Sequence, residues 1–391
     1  MQRKWLAGSA LALVLIAAQA NAADKIELGL SGSYRFYIVG ADLDDGADAS
    51  SATGMHIGDG FREHGVAREG EIHFRGQTTL DNGIKVGVRV ELEAETSPDQ
   101  IDNSYIFFDG GFGRVELGST WGPGVTMFYG GTGHVIPGHG NFAAIQHIPG
   151  QPWGGGGGYF ATYNYRLDFT TDKVAYYTPR WAGLQIGAAY TPDDKLTVGL
   201  TPDPTAGPME ESGTALNADS NAGQSQVMTV AANYLRDIGP VGVAIFGSYT
   251  TADAEPVAAD DSSAWGGGIQ LTYQGFGIGG SFLRQTNIGG VPSRDRDEFE
   301  VSGSYSTGRW EFGIAYQHLE QEQGAVLTLA GFDEDEGDYF SIGVTYELGP
   351  GILIAGGVQH YDYRSARAPG GLPHTPDGEH TVLLLGTAVS F

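Results

Sequence analysis

The sequence predicts an all-β protein, a transmembrane antiparallel β-barrel of about sixteen strands. Three observations lead there. Apolar and polar residues alternate with period two through most long segments, which sorts them onto two faces of a strand and would scatter them around a helix. Tight-turn dipeptides alternate along the chain with long polar connections. Beyond residue 22, no apolar run approaches the ~20 residues that a membrane helix needs.

The chain opens MQRKWLAGSALALVLIAAQANA. Arg3 and Lys4 form a positive start, Leu6 to Ala18 an apolar core, and Ala20-Asn21-Ala22 a small-x-small cleavage site. This is the layout of a signal peptide over residues 1–22, which leaves 23–391 as a single barrel domain.

The first strand is read at IELGLSGSYRFYI, with Ile26, Leu28, Leu30, Tyr34, Phe36 and Ile38 on one parity and Glu27, Ser31, Ser33 and Arg35 on the other. REGEIHFRGQTTL sets Ile72, Phe74 and Leu80 against Glu71, His73, Arg75, Gln77 and Thr79. In IKVGVRVELEA, Ile84, Val86, Val88, Val90 and Leu92 alternate with Lys85, Gly87, Arg89, Glu91 and Glu93. The same alternation returns over Trp310–Gln317 and Phe340–Leu348, and in the last segment, HTVLLLGTAVSF, which ends on Phe391.

Short turns are read at Asp81-Asn82-Gly83, Gly110-Gly111, Trp181-Ala182-Gly183, Ile238-Gly239-Pro240, Gln274-Gly275, Thr307-Gly308 and Gly349-Pro350-Gly351. Longer polar connections lie near 40–68, 96–102, 120–170, 191–225, 250–262, 285–297, 319–337 and 362–380. A sandwich or propeller explains the alternation but not the regular exchange of short and long connections. A membrane barrel explains both, with a greasy outside and a polar interior. Backbone groups in lipid must all be paired, so the last strand is expected to pair with the first. Tyr34, Trp310, Tyr316, Tyr346 and Tyr361 near strand ends suit interfacial girdles.

Lys and Arg number 21 against 47 Asp and Glu, a formal charge of −26. Such a surface repels nucleic acid, and no basic stripe is present to bind it. There are no cysteines, so the fold does without disulfides. No G-x-S-x-G occurs; His73, Ser31 and Glu71 make a hydrolytic triad only on paper, and the chain is read as a non-enzyme.

IELGLSGSYRFYI, the hairpin IFFDGGFGRVELG, the segment DKVAYYTPRWAGLQIGAAY and the terminal strand ending in Phe391 together resemble the Gram-negative general porin family. The resemblance implies a sixteen-stranded barrel in the outer membrane of a Gram-negative bacterium, usually a homotrimer, that passes small hydrophilic solutes and ions by diffusion. It implies that Phe391 serves as an assembly signal. It also implies that a long third loop, here Ser119 to Asp168, folds into the lumen and narrows it. In the family this loop usually carries carboxylates; here it offers Asp168 beside Arg166, and otherwise Gly, aromatics and His134, His139 and His147.

A diffusion pore works through its radius, its lining dipoles and its fixed charges. The inward parity supplies Arg35, Glu71, Arg75, Lys85, Arg89, Glu91, Glu93, Arg114, Glu116 and Lys173 as pore-lining candidates. Arg75, Arg89 and Arg114 suggest a basic wall at the constriction; a mutually neutralising, solvated interior is the other reading. On the loop, Phe128, Tyr129, His134, His139, Phe142, Trp153, Tyr159, Phe160 and Asp168 are constriction candidates. Their aromatics either form an eyelet that holds sugars or aromatic solutes, as in a substrate-specific channel, or pack the loop on the wall. The histidine spacings match no zinc pattern, and no metal ligand set is assigned. The acid excess predicts cation preference. The acidic stretches Asp42–Asp48 and Phe332–Asp338 are read as solvated loop charge or as weak Ca²⁺ or Mg²⁺ sites that bridge lipopolysaccharide phosphates.

Overall fold

In a computed structural model the described residues are 25–43, 63–94, 101–137, 162, 167, 170–193, 224–255, 259–322, 334–364 and 378–391. The signal-peptide reading lies outside them. They form sixteen strands: β1 (Glu27–Leu43), β2 (His64–Thr79), β3 (Lys85–Glu93), β4 (Ile101–Gly110), β5 (Gly113–Thr120), β6 (Thr171–Tyr177), β7 (Leu184–Asp193), β8 (Gln224–Ile238), β9 (Val241–Ala254), β10 (Ser262–Tyr273), β11 (Phe276–Thr286), β12 (Arg296–Thr307), β13 (Trp310–Glu322), β14 (Glu334–Gly349), β15 (Ile352–Arg364) and β16 (Gly378–Ser390). A short α-helix, α1 (Pro123–Thr126), follows β5, and a 3-10 turn, Ile288–Gly290, lies between β11 and β12.

Each strand pairs antiparallel with its neighbours in sequence, and β1 closes on β16. That closing register runs from Ser33 opposite Ser390 to Leu43 opposite His380. Gly32 and Phe391 extend it by exchanging backbone hydrogen bonds of 2.9 and 3.0 Å. Closure leaves the sheet no edge, as a bilayer requires. The seven short turns fall where the dipeptides place them, and Gly83, Gly183, Gly239, Gly275, Gly308 and Gly351 in them take the left-handed backbone that tight hairpins need.

The apolar parity faces outward. Leu28, Ile38, Phe74, Ile245, Ile278, Ile314, Ile342 and Leu385 are all exposed on the outer wall. Two aromatic rows flank this band. Trp265, Phe282, Phe299, Tyr316 and Phe340 lie toward the long connections, and Tyr273, Phe276, Tyr305, Trp310 and Tyr346 toward the short turns. Rings interlock along each row, with Trp265 edge-on to Phe282 and Trp310 against Tyr346 at centroid distances of 5.1 and 4.6 Å. Tyr361 is a correction to the girdle reading. It sits on the inward parity of β15 and is buried against Tyr339, 4.9 Å between centroids.

The interior is not uniformly polar. Inward residues of β13 to β16 and β1 build an apolar cluster inside the barrel: Leu319, Tyr339, Ala355, Tyr361, Val382, Leu384, Tyr37 and Val39. The ninth member, Ile136, comes from the long connection after β5 and not from a strand.

That connection is described from Trp121 to Pro137, and this part lies along the inner wall. Thr126 reaches Tyr177 on β6 (2.9 Å), Asn233 on β8 donates to the Met127 carbonyl (3.0 Å), and Phe128 packs edge-on to Phe246 on β9 (5.4 Å). Next, Ser302 on β12 accepts from the Thr132 and Gly133 N–H groups at 2.8 and 3.1 Å. Thr345 on β14 donates to the Val135 carbonyl (2.6 Å), and Tyr37 on β1 donates to that of Pro137 (2.8 Å). The pitch follows from geometry. Strands stand about 4.8 Å apart and an extended residue advances about 3.3 Å, so the segment meets a new strand every one to two residues.

Glycines make the seat. A Cβ at Gly268 would lie 2.1 Å from the Tyr129 carbonyl oxygen, one at Gly279 2.2 Å from that of Gly130, and one at Gly313 2.1 Å from that of Gly133. Gly313 faces Gly343 across the sheet, and Gly343 faces Gly357, so three adjacent strands are stripped of side chains under the segment. The remainder of this connection, including His139, Phe142, Trp153, Tyr159, Phe160 and Asp168, lies outside the described residues apart from Thr162, Leu167 and Thr170. Thr162 shares a 2.6 Å hydrogen bond with inward-facing Ser281.

Candidate pore lining

All ten pore-lining candidates stand on the inward parity of β1 to β6. The pairings build rows across the wall. One row is Ser31, His73, Glu91 and Asn103; the next toward the short turns is Gly29, Arg75, Arg89 and Tyr105. Glu71 and Glu93 face each other one row toward the long connections.

Two arginines opposite each other repel, and the wall relieves this by turning them apart. Arg89 pairs with Glu91. Arg75 lies over the ring of Phe107 at 5.5 Å, and Arg114 approaches the same ring at 4.2 Å. Phe107 is 1% exposed and stands over Gly87, where a Cβ would meet the ring at 2.5 Å. Arg114 also holds Glu116 (2.6 Å), and Arg35 holds Glu69 (2.5 Å). Arg35, Arg89 and Arg114 are therefore each paired with an acid, while Arg75 lies over the Phe107 ring. Lys173 is 3% exposed and donates to the Thr120 carbonyl at 2.7 Å, so it braces the start of the long connection instead of meeting open solvent. Lys85 is exposed beside the β2–β3 turn, opposite Asp109.

Six of the ten, Glu71, Arg89, Glu91, Glu93, Arg114 and Glu116, line a cavity of about 1110 Å³ between the β2–β5 wall and the start of the long connection; Arg35, Arg75, Lys85 and Lys173 are not part of its lining. Seven carboxylates line it, from Glu69, Glu71, Glu91, Glu93, Asp102, Asp109 and Glu116, against three guanidiniums, from Arg89, Arg114 and Arg180. Tyr105, Trp121, Tyr129 and Tyr177 share the lining. No carboxylate occurs between Trp121 and Pro137, so in this stretch the acids sit on the wall and not on the connection.

Of the connection's candidates, Tyr129 lines the cavity, while Phe128 packs on the wall. His134 is turned away to Glu300 on β12 (3.0 Å) and stacks on Tyr339. Glu300 is in turn held by Ser302 (3.0 Å) and Gln317 (3.3 Å). The acidic stretch ending at Asp338 is not all loop. β14 begins at Glu334, and Asp338 on its outer face accepts from Tyr316 (2.5 Å) and meets His318 Nδ1 at 2.9 Å. Asp42 lies at the end of β1, and 44–48 lie outside the described residues.

A closed barrel with an apolar belt, two aromatic rows and a charged, solvent-accessible interior is a membrane channel of the outer-membrane type. The comparisons narrow the class. The profile of the Gram-negative porin family matches residues 9–366, and the chain belongs to that family. It is an outer-membrane porin channel that crosses the membrane many times.

Solved structures share the fold at low sequence identity. A loop L8 deletion mutant of OmpT, an outer membrane protein of Vibrio cholerae, superposes with a TM-score of 0.58 at 14% identity, over 94% of this chain and 100% of that one. An anion-selective porin from Comamonas acidovorans gives a TM-score of 0.58 at 16% identity, over 94% and 100% of the two chains. An uncharacterized protein of Rickettsia bellii (strain RML369-C) is 26% identical over 140 residues, 30% of this chain and 30% of that protein.

Proposed function

We propose that this porin is a water-filled pore for passive diffusion of small hydrophilic solutes and that it prefers cations. The observation that carries the reading is the cavity wall, where seven carboxylates outnumber three guanidiniums. Fixed charge of one sign raises the local concentration of the opposite ion and its rate of entry. Arg89 pairs with Glu91 and Arg114 with Glu116, and the lining keeps a surplus of acids after these pairs. The reversal potential in a KCl gradient tests this. A shift toward the potassium potential is expected, and one toward the chloride potential would refute it.

A second reading is a substrate-specific channel with an aromatic constriction. Tyr105, Trp121, Tyr129 and Tyr177 on the same cavity favour it, and the acidic lining points to sugars before organic acids. Block of single-channel current by sugars separates this from the general pore, whose current stays unblocked. An enzyme is the third reading; an esterase assay on the purified protein decides it.

The protein is further proposed to assemble as a homotrimer through β16 to β5. The outer aromatic rows run along β10 to β14, while the outward face of β1 to β3 is built mainly of aliphatics and glycine, among them Leu28, Leu30, Gly32, Gly70, Ile72, Gly76, Val86 and Val88. One V. cholerae OmpT structure is described as a trimer form. Light scattering in detergent measures the state directly. The acidic stretches Asp42–Asp48 and Phe332–Asp338 are proposed as weak Ca²⁺ or Mg²⁺ sites that bridge lipopolysaccharide phosphates.

A further inference from the structure

We propose that His73 and Glu91, oriented by Glu71 and Asn103, form a lumenal site for a divalent transition-metal ion of the zinc class, in competition with the Arg89 guanidinium. This rests on the reading of the interior as open to solvent and ions.

The ligand atoms of Glu71, His73 and Glu91 lie within 4.8 Å of one another. The hydrogen bonds fix how the imidazole is presented. Arg89 Nη2 lies 3.3 Å from His73 Nδ1. A guanidinium can only donate, so Nδ1 offers its lone pair and the ring proton is on Nε2. Nε2–H donates to Glu71 Oε2 at 2.7 Å. A carboxylate holding one ring N–H while the other nitrogen presents its lone pair is the arrangement that metal-ligating histidines show.

Arg89 also pairs with Glu91 Oε1. The guanidinium thus bridges His73 Nδ1 and Glu91, the two groups a divalent ion would take. Asn103 keeps Glu91 in place, donating from Nδ2 to Oε2 at 2.5 Å. Asn103 is 2% exposed, and its Oδ1 is buried without a hydrogen-bond partner, which leaves one more oxygen donor beside the carboxylate. The Arg89 side chain is 39% exposed, so it can swing into the lumen as an ion enters. Glu93 lies on the same cavity wall and adds a carboxylate to it. A compact dication is favoured over a spread monovalent guanidinium in that field. The imidazole nitrogen selects zinc-class ions over Mg²⁺ and Ca²⁺, which prefer all-oxygen sites.

The test is calorimetric titration of ZnCl₂, and of MgCl₂ in parallel, into the detergent-solubilised full chain. One Zn²⁺ per chain is expected, bound at least tenfold more tightly than Mg²⁺. His73→Gln and Glu91→Gln should each weaken Zn²⁺ at least tenfold. Arg89→Gln should strengthen it at least tenfold, a gain that a misfolded variant cannot produce. Equal binding of the two ions, or Zn²⁺ affinity unchanged in both His73→Gln and Arg89→Gln, overturns the site. Conductance recorded on the same protein separates the two readings. Zn²⁺ binding without current defeats the open pore and leaves the site, and current without Zn²⁺ binding defeats the site alone.

Discussion

Gly313→Ala should unseat the connection after β5 while leaving the barrel closed. The added Cβ would stand 2.1 Å from the Gly133 oxygen and 2.6 Å from a Val135 methyl, where ordinary contact begins near 3.4 Å. The first of these is backbone, so no rotamer change relieves it, and the segment has to rise by more than an ångström. That distance breaks the two hydrogen bonds onto Ser302 and the His134–Glu300 pair. At about 1 kcal/mol for each neutral bond and about 2 for the charged one, seating weakens by roughly 3–4 kcal/mol. The unseated population then grows by a few hundredfold. The strand itself accepts alanine, because Gly313 is not among the glycines with positive φ. Single-channel recording should show larger or noisier openings, and limited proteolysis should cut between residues 121 and 137 faster. Gly303→Ala is the matched control, since its Cβ meets only the Gly277 oxygen at 3.5 Å. If Gly313→Ala records and cleaves like the control, the seating argument fails.

Two further outcomes are expected. Glu71→Gln with Glu93→Gln removes a facing pair of carboxylates from the cavity wall, and the cation-to-anion permeability ratio should fall severalfold; an unchanged reversal potential would show that charge elsewhere sets selectivity. Phe391→Ala leaves the backbone bonds to Gly32 intact and removes a ring that is 63% exposed, so the free energy of unfolding should fall by no more than about 1 kcal/mol, while the yield of folded protein in the outer membrane drops severalfold. Equal yields would remove the assembly role of the residue.

The outer half of this structure was legible because lipid imposes one rule on it. Outward positions at the depth of the hydrocarbon must be apolar, so period two alone separates Ile26, Leu28 and Leu30 from their neighbours. The turns were legible because Asn82-Gly83 and Gly349-Pro350-Gly351 carry their backbone preference locally. The inner half obeys no single rule. Phe107, Leu319, Tyr361 and Leu384 face inward yet are apolar, because each meets another side chain or the inlaid segment rather than water. Alternation tells two faces apart, but not which part of a face is covered. The glycine seat was unreadable for a related reason: Gly313, Gly343 and Gly357 become neighbours only once two registers are known. The pairing of Arg89 with His73 needed the same knowledge, although both residues were visible as inward candidates.

The inlaid segment from Trp121 to Pro137 has a mechanical consequence. It is fastened at intervals from β6 round to β1 and works as a brace along that arc, whereas β2 to β4 border the cavity. Along that arc the wall is tied to a second layer of backbone, so lateral tension in the bilayer would have to strain those fastenings together with the sheet.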